Sequence, residues 1–307
     1  MVQILMLHAG NCVTEKILMH EIQVKQLLSS SNNMNLYRGC THGCIYCDSR
    51  STCYQMNHDF EDIAVKINAL QLLEKALAGK RKRCMIGTGA MCDPYLHLEK
   101  DLKLTRKCLE IINRYNFGVG VLTKSDLIMR DIDLLESINF KTKAVVQMTL
   151  TTFDDELCKK IEPNVCPTSS RIKALKEMQK AGIPTMVWLS PFLPFINDTY
   201  ENIKNLLDVC LSVGVKGIVC FAVGVTVREG NREYFYQQLD KSFPGLKECY
   251  QKKFGNAYEI PSPNHKKLFS MIEENCRLHN LLYKPDDCFT WLRQFEDKNK
   301  SVQFELF

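Results

Sequence analysis

The sequence has no apolar run close to the roughly 18 residues that a transmembrane helix requires. The amino-terminal stretch up to Met19 has no basic segment ahead of its short apolar part, which excludes the pattern of a secretory signal peptide. There is also no large excess of one charge, because 40 Lys and Arg accompany 35 Asp and Glu. The net charge of +5 therefore does not by itself indicate a nucleic-acid-binding surface. We expect a cytoplasmic protein without a membrane partner.

The cysteines lack the arrangement of a disulfide framework. Their number, 15, is odd, and they are scattered through segments with helical and strand patterns in a chain that has no export signal. A chain of 307 residues, 45% of them hydrophobic, buries enough surface to fold without disulfides or a structural metal. We therefore expect reduced thiols, most of them small core residues, and any bound metal should serve chemistry.

Short apolar runs alternate with amphipathic stretches from residue 33 to residue 221. The runs predict six strands, at 34–38, 84–87, 119–123, 145–149, 185–189 and 217–221. The stretches between them predict five helices, at 61–78, 98–115, 128–138, 169–181 and 200–213. Apolar strands that are separated by single helices pair in parallel with right-handed crossovers. The pattern predicts an α/β fold, a partial (β/α)6 barrel, although a doubly wound open sheet has the same local pattern. Both place a site at the carboxyl ends of the strands.

The pattern divides the chain into three regions. Residues 1–32 form an amino-terminal segment, residues 33–224 carry the strand and helix repeat, and residues 225–307 predict a C-terminal helical extension that caps the barrel. The organised pattern begins just after Met19, which is an alternative natural start to Met1 and would make residues 1–18 dispensable.

Three cysteines, Cys40, Cys44 and Cys47, stand close together in the loop after the first predicted strand. At this cysteine content, about 0.04 triplets of the same spacing are expected by chance. Gly39 and Gly43 allow a tight turn, so that three thiolates can converge on a four-iron cluster and leave one iron open for another ligand.

A zinc site is the alternative for the same loop. A structural zinc ion takes four ligands, and His42 within the loop or the more distant Cys53 would supply the fourth. Cys210 and Cys220 stand too far apart in the sequence for a second compact ligand motif, so we expect one metal centre.

The loop resembles the signature of the radical S-adenosylmethionine (SAM) superfamily, in which an aromatic residue, here Tyr46, directly precedes the last of three cysteines. Segments 37–40 and 42–44 are similar to those of the spore photoproduct lyase-related, or DNA repair photolyase-like, branch, and the resemblance covers residues 33–222. It implies that the three cysteines bind a [4Fe–4S] cluster, that the cluster's fourth iron binds SAM, and that Tyr46 lies against the adenine. It also implies a reducing partner, a flavodoxin or a ferredoxin-like protein.

The resemblance implies further cofactor contacts at the ends of the second and third strands. The backbone around Ala90 and the carboxylate of Asp93 would meet the amino end of SAM, whereas cap preferences alone allow Asp93 to cap the turn into the next helix. Lys124 would pair with the carboxylate of SAM, whereas a lysine at a strand end usually faces solvent.

The fourth strand ends in hydroxyl side chains. The resemblance implies that Thr149 and Thr151 bond the ribose or the carboxylate of SAM, and that Arg171 belongs to the same site. The alternative for Arg171 is an ion pair with Glu162 at the start of a helix.

Cys92 is the candidate catalytic residue. In spore photoproduct lyases a cysteine after the second strand donates hydrogen to the product radical, and Cys92 is the nearest candidate here. The lyase donor precedes the aspartate by three residues, a position that Ala90 occupies in this sequence. The departure weakens an assignment of thymine-dimer reversal but leaves radical chemistry unaffected.

These inferences predict an enzyme that cleaves SAM reductively and abstracts hydrogen from a substrate in the barrel mouth. Family analogy favours a nucleic-acid lesion or a modified base as the substrate, with a peptide or a small molecule as the alternative. A zinc-stabilised binding protein is the non-enzyme alternative, and the oligomeric state is not indicated.

Two groups of basic residues bear on a nucleic-acid substrate. The run 80–83 precedes the second strand, at the end of the barrel away from the chemistry, and predicts a solvated loop. The lysines between 247 and 267 alternate with aromatic residues and predict either a stacking and phosphate surface or amphipathic helices packed on the barrel.

Overall fold

A computed structural model describes residues 18–298, and residues 1–17 and 299–307 lie outside this description. The predicted dispensability of residues 1–18 therefore falls almost wholly outside the described part. Within it, no helix combines the length and the apolar character needed to cross a membrane.

Eleven strands occur in the described part of the chain. In chain order they are β1 Met19–Ile22, β2 Asn33–Met34, β3 Tyr37–Arg38, β4 Ile63–Lys66, β5 Met85–Thr88, β6 Gly118–Thr123, β7 Ala144–Thr149, β8 Thr185–Trp188, β9 Gly217–Val219, β10 Gly224–Thr226 and β11 Glu259–Pro261. Six of them form one sheet in the order β2-β5-β6-β7-β8-β9, and every neighbouring pair in it is parallel. The predicted partial barrel is confirmed.

The described residues also form eleven α-helices. They are α1 Ala69–Ala78, α2 Glu99–Leu102, α3 Leu104–Arg114, α4 Ile132–Lys141, α5 Asp155–Ile161, α6 Thr168–Lys180, α7 Tyr200–Val213, α8 Asn231–Ser242, α9 Leu246–Phe254, α10 His265–Leu278 and α11 Pro285–Arg293. The predicted helix 98–115 is divided at Lys103, which has a φ of +51°.

Helix α7 shows how local sequence defines these elements. The hydroxyl of Thr199 accepts a hydrogen bond from the amide of Asn202, at 3.2 Å, and so caps the first turn. Gly214 ends the helix with a φ of +69°, a conformation that glycine adopts without a Cβ penalty. The residues that it buries recur at helical spacing and pack against the sheet: Ile203, Leu206, Leu207, Cys210 and Val213.

The predicted helix 61–78 is wrong in its first part, because residues 63–66 form strand β4. Ile63, Ala64 and Val65 are buried in succession, and β4 lies between β1, which pairs with it in parallel, and β3, which pairs with it in antiparallel. Asn68 separates this strand from α1 by bonding both backbone groups of Val24. In the sequence, the apolar residues of a short strand followed directly by a helix resemble the pattern of one longer amphipathic helix.

The predicted first strand, 34–38, is also divided. Met34 belongs to β2 in the six-stranded sheet, whereas Tyr37 and Arg38 form β3 in the smaller sheet. Strand β3 leads directly into the cysteine loop, so the smaller sheet anchors the start of that loop.

The two faces of the six-stranded sheet pack against different parts of the chain. One face contacts the helices of the repeat and forms the main core, which includes Val121, Val146 and Val187. The other face carries Met85 and Val145 and packs against α11 through Cys288 and Leu292. Helices α8 and α9 pack instead against the cysteine loop. The domain boundaries at residues 32 and 224 stay predictions.

Candidate functional site

A cavity of about 770 Å³ lies at the carboxyl ends of the parallel strands. Strand ends supply part of its wall, the cysteine loop supplies another part, and β10 and β11 supply a third. The cavity is therefore where parallel α/β folds place their ligands.

All three cysteines of the loop line this cavity. Gly39 has a φ of +90°, and a Cβ atom there would lie 2.6 Å from the carbonyl oxygen of Phe60. Glycine therefore allows the close approach in which the amide of Cys40 donates to that carbonyl at 2.8 Å. At the other side of the loop, the amide of Ile45 donates to the carbonyl of Ile161.

The loop thiols differ in acidity. A hydrogen bond from the thiol of Cys92, aided by His42, holds the pKa of Cys40 well below its usual value despite burial. Burial raises the pKa of Cys44 well above its usual value and also raises that of Cys47. A metal takes cysteine as the thiolate, so all three thiols are deprotonated when they bind one.

The donor set fits an iron–sulfur cluster better than a single zinc ion. Tetrahedral zinc with bonds of about 2.3 Å holds its sulfur ligands about 3.8 Å apart. The three loop sulfurs do not all lie within 4.8 Å of one another. Cys53, one of the two predicted fourth zinc ligands, is exposed and does not line the cavity. His42, the other, lies against Cys40 and Asp93.

The turn after β5 brings Ala90, Cys92 and Asp93 to the cavity wall. Gly89 begins this turn with a φ of +100°, and a Cβ atom there would lie 1.9 Å from the carbonyl oxygen of Leu122. Cys92 is buried, and its Sγ lies 2.9 Å from the carbonyl oxygen of Gly39. The thiol thus lies against the cysteine loop.

Asp93 makes the contacts of a turn cap. Its Oδ1 accepts from the amide of Tyr95 at 2.9 Å and from the hydroxyl of Thr123 at 2.7 Å. Its Oδ2 accepts from the amide of Lys124 at 2.7 Å. Within the chain, Asp93 therefore acts as a cap of the turn, as the alternative predicted. Its carboxylate also links the end of β5 to the end of β6 and lines the cavity.

Lys124 lines the cavity at the end of β6, and its Nζ lies 6.0 Å from the centre of the Tyr46 ring. Burial on its own lowers its pKa, but interaction with the anionic forms of Cys44 and Glu162 outweighs burial and raises it. Among residues 18–298 it forms no ion pair within 4.0 Å. It is a partly buried cation that lines a ligand-sized space, not the fully solvent-facing lysine of the alternative.

Thr149 lines the cavity, but Thr151 and Arg171 do not. The backbone carbonyl of Thr151 accepts hydrogen bonds from the side chains of Asn197 and Asn202, which hold this segment in place. Arg171 pairs with Glu162 at 2.6 Å, and neither side chain is exposed. The structure therefore supports the ion-pair alternative for Arg171 instead of a cavity contact.

The Arg171–Glu162 pair acts on the cavity through Tyr46, whose hydroxyl bonds Glu162. Burial on its own raises the pKa of Glu162, but the charges of Arg171 and Lys124 outweigh burial and lower it. The ionised carboxylate fixes the tyrosine ring in the cavity wall. Arg171 is thus a positioning residue for Tyr46.

Sequence reasoning missed the aromatic part of the cavity wall. Trp188 ends β8 and Phe221 follows β9, and their ring centres lie 6.0 Å apart. The Phe221 ring is 54% exposed and stacks on Phe289 of α11. The position of Trp188 at a predicted strand end was an available signal, whereas the contribution of α11 depends on tertiary packing.

The lysine-rich segment 247–267 is largely explained by packing. Tyr250 is buried against Phe235 and Phe254, so its ring belongs to the core. Lys266 and Lys267 are exposed and directly follow His265, which lines the cavity.

Residues 34–210 match the family model described as the radical SAM superfamily. Among curated proteins, an uncharacterized protein of Methanocaldococcus jannaschii is 34% identical over 232 residues, which are 75% of this chain and 78% of that protein. An uncharacterized protein of Mycobacterium tuberculosis is 26% identical over 269 residues, or 82% and 78% of the two chains.

Solved structures with a similar fold include spore photoproduct lyase complexed with dinucleoside spore photoproduct. The TM-score is 0.59 at 15% sequence identity, and the match covers 80% of this chain and 72% of the lyase. This likeness concerns the fold.

Proposed function

The chain belongs to the radical SAM superfamily of enzymes, and from this membership we propose that it abstracts hydrogen from a substrate bound in the 770 Å³ cavity. Members of the superfamily use a [4Fe–4S] cluster and SAM, which supply a 5′-deoxyadenosyl radical once a reductant has delivered an electron. We propose a flavodoxin or a ferredoxin-like protein as that reductant.

Cys40, Cys44 and Cys47 are the proposed cluster ligands. The observation that carries the proposal is that all three line one cavity together with Lys124 and Tyr46. A partly buried cation suits the carboxylate of SAM, and an aromatic face suits its adenine. Ala90 and Thr149 supply the rest of the proposed SAM contacts, and Asp93 orders the turn beside them.

Anaerobic reconstitution of the cluster, followed by addition of SAM and dithionite, tests the proposed cluster ligands and the cleavage of SAM. We expect about four irons per chain and release of 5′-deoxyadenosine. Replacing Cys40, Cys44 or Cys47 with alanine should abolish both, whereas Cys84→Ala, which lies outside the cavity wall, should preserve both. A wild-type protein that stays free of iron would overturn the proposal.

Cys92 is the proposed hydrogen donor to the product radical, because it lines the cavity beside the cysteine loop. In the same assay, Cys92→Ala should still release 5′-deoxyadenosine but should give a different product from the substrate. Unchanged products would remove Cys92 from the mechanism.

For the substrate we propose a nucleic-acid lesion or modified base. The support from this chain is the exposed Phe221 ring at the cavity, which offers a stacking surface for a planar base extruded from its strand. Lys266 and Lys267, next to His265 of the cavity wall, suit phosphate groups. A fold neighbour, spore photoproduct lyase, is complexed with a dinucleoside lesion.

Oligonucleotide binding at low salt tests this substrate class. Phe221→Ala should weaken binding by about 1–3 kcal/mol, the usual contribution of one base stack. Phe140→Ala is the matched control, because that ring is 81% exposed on α4 and does not line the cavity. Lys266→Gln with Lys267→Gln should reduce the salt dependence of binding, unlike Arg81→Gln with Lys82→Gln in the basic run. Absence of any binding would favour the peptide or small-molecule alternative.

A further inference from the structure

Three potential metal ligands meet behind the cysteine loop, outside the cavity. His20 lies on β1, and His58 and Asp62 belong to the segment that leads into β4. The Nδ1 atom of His20 lies 3.0 Å from Oδ2 of Asp62, and the two imidazole rings are 4.9 Å apart and almost perpendicular. One ligand atom from each of the three side chains lies within 4.8 Å of the other two.

His58 supplies an independent observation. Its Nδ1 lies 3.0 Å from the carbonyl oxygen of Asp59, and because a carbonyl can only accept, Nδ1 carries the hydrogen. Nε2 then carries no hydrogen and has a free lone pair. It is shielded from solvent and has no hydrogen-bond partner among residues 18–298. A buried acceptor without a partner costs free energy that a metal bond would offset.

We propose that His20, His58 and Asp62 form a site for a first-row divalent metal, with zinc as the ion to test. Zinc bonds of about 2.0–2.2 Å to nitrogen and oxygen place tetrahedral ligands roughly 3.4 Å apart, close to the separation of His20 and Asp62. The bond from His58 to the Asp59 carbonyl is the second contact that orients a metal-binding imidazole. Water would take the fourth position, since His20 and Asp62 are each more than a quarter exposed.

The metal would join the first described strand to the segment that supports the cysteine loop. Phe60 lies between His58 and Asp62, and its carbonyl accepts the amide of Cys40. Its ring lies under the guanidinium of Arg50, at 4.3 Å. A bound ion therefore fixes β1 and the support of Cys40 in one unit, and it stabilises the fold by preferring the folded state. The site does not depend on the proposed reaction.

The test is metal analysis of the full chain with its cluster reconstituted, after equilibration with a small excess of zinc chloride and gel filtration. We expect about one zinc per chain in addition to iron. His58→Gln and Asp62→Asn each remove a ligand and should lower zinc affinity by at least about 100-fold, the upper cost of losing an outer-shell partner. His279→Gln is the matched control, because that imidazole is exposed and far from the site in the chain. It should keep wild-type affinity.

Two further measurements separate this site from zinc on the cysteines. A chain with Cys40, Cys44 and Cys47 replaced by serine should still bind one zinc, and cobalt in it should give tetrahedral absorption bands without thiolate charge transfer. Zinc should raise the melting temperature of the wild type by several degrees and leave that of His58→Gln unchanged. Equal zinc binding by wild type and both variants, or no zinc bound by wild type, would overturn the proposal.

Discussion

A buried ion pair stabilises the fold only while both partners are present, because either charge alone is left buried without a partner. Arg171 and Glu162 are such a pair, with no exposed side-chain surface on either, and Tyr46 depends on Glu162 for its hydrogen bond. Arg171→Met leaves the carboxylate without its main partner, so we expect a loss of about 3–5 kcal/mol in the free energy of unfolding. Lys180→Met removes the exposed pair with Glu177 and should cost about 1 kcal/mol or less.

Urea unfolding measures the stability losses of Arg171→Met and Lys180→Met. Repeating it at several pH values tests the direction in which the loss for Arg171→Met changes. The folded-state pKa of Glu162 is lowered, so the stability it contributes is complete above the unfolded carboxyl pKa of about 4.3. That stability is lost as the pH falls through the lowered folded value. The cost of Arg171→Met should therefore shrink in acid. Equal costs for the two variants at neutral pH would show that the buried pair is not a stabilising unit.

The residues of the site differ in how far their sequence defines them. The cysteine spacing predicted one group that lines the cavity, and the family resemblance predicted another, Lys124, whose strand-end position alone favoured solvent. The role of Arg171 was not determined in the same way, because Glu162 and the cavity both offered partners and only tertiary packing selects one. Asp93 likewise caps its turn because Thr123 and the amide of Lys124 lie next to it in space.

At the scale of elements, the repeated strands and helices were predictable because each buries an apolar face with its own period. β7 is buried at every position, as expected of a strand that is covered on both faces. Strand β4 and the antiparallel pair β10–β11 were missed because each strand is only three or four residues long and depends on a partner distant in sequence, such as β1 for β4.

The turn after β5 is the element whose backbone most constrains its sequence. Gly89→Ala combines a positive φ with a Cβ atom 1.9 Å from a β6 carbonyl, so the strand end must move, and we expect a loss of at least about 3 kcal/mol. Gly245→Ala has a positive φ but no atom within 4 Å of the added carbon, so it should lose only about 1 kcal/mol.

Chemical unfolding of both glycine variants without the cluster isolates the steric part of this cost. Circular dichroism should show native secondary structure for Gly245→Ala at 25 °C. A Gly89→Ala chain as stable as Gly245→Ala would contradict the close contact between the β5 turn and β6.

At the scale of the whole molecule, the sheet face that packs on α11 also forms part of the cavity. Its carboxyl end forms the cavity, and the part below packs on α11. The amine of Lys143 fixes the end of α11 by donating to the carbonyl of Trp291 at 2.8 Å. The backbone of Leu282 bonds Ile218 at the β9 edge and so covers an edge that would otherwise be open. The C-terminal segment therefore covers one face and the β9 edge of the partial barrel.

Leu292→Ala tests whether α11 belongs to the core of the protein. Leu292 is 8% exposed and packs beneath the sheet, so its truncation should leave a cavity and cost about 2–5 kcal/mol. Leu278→Ala, at the end of α10, removes the same atoms from a side chain that is 74% exposed and should change stability by less than about 0.5 kcal/mol. Thermal and urea unfolding distinguish the two. If both substitutions were neutral, α11 would be a peripheral attachment, and the cavity-wall rings of Trp188 and Phe221, which contact Phe289 of α11, would need another support.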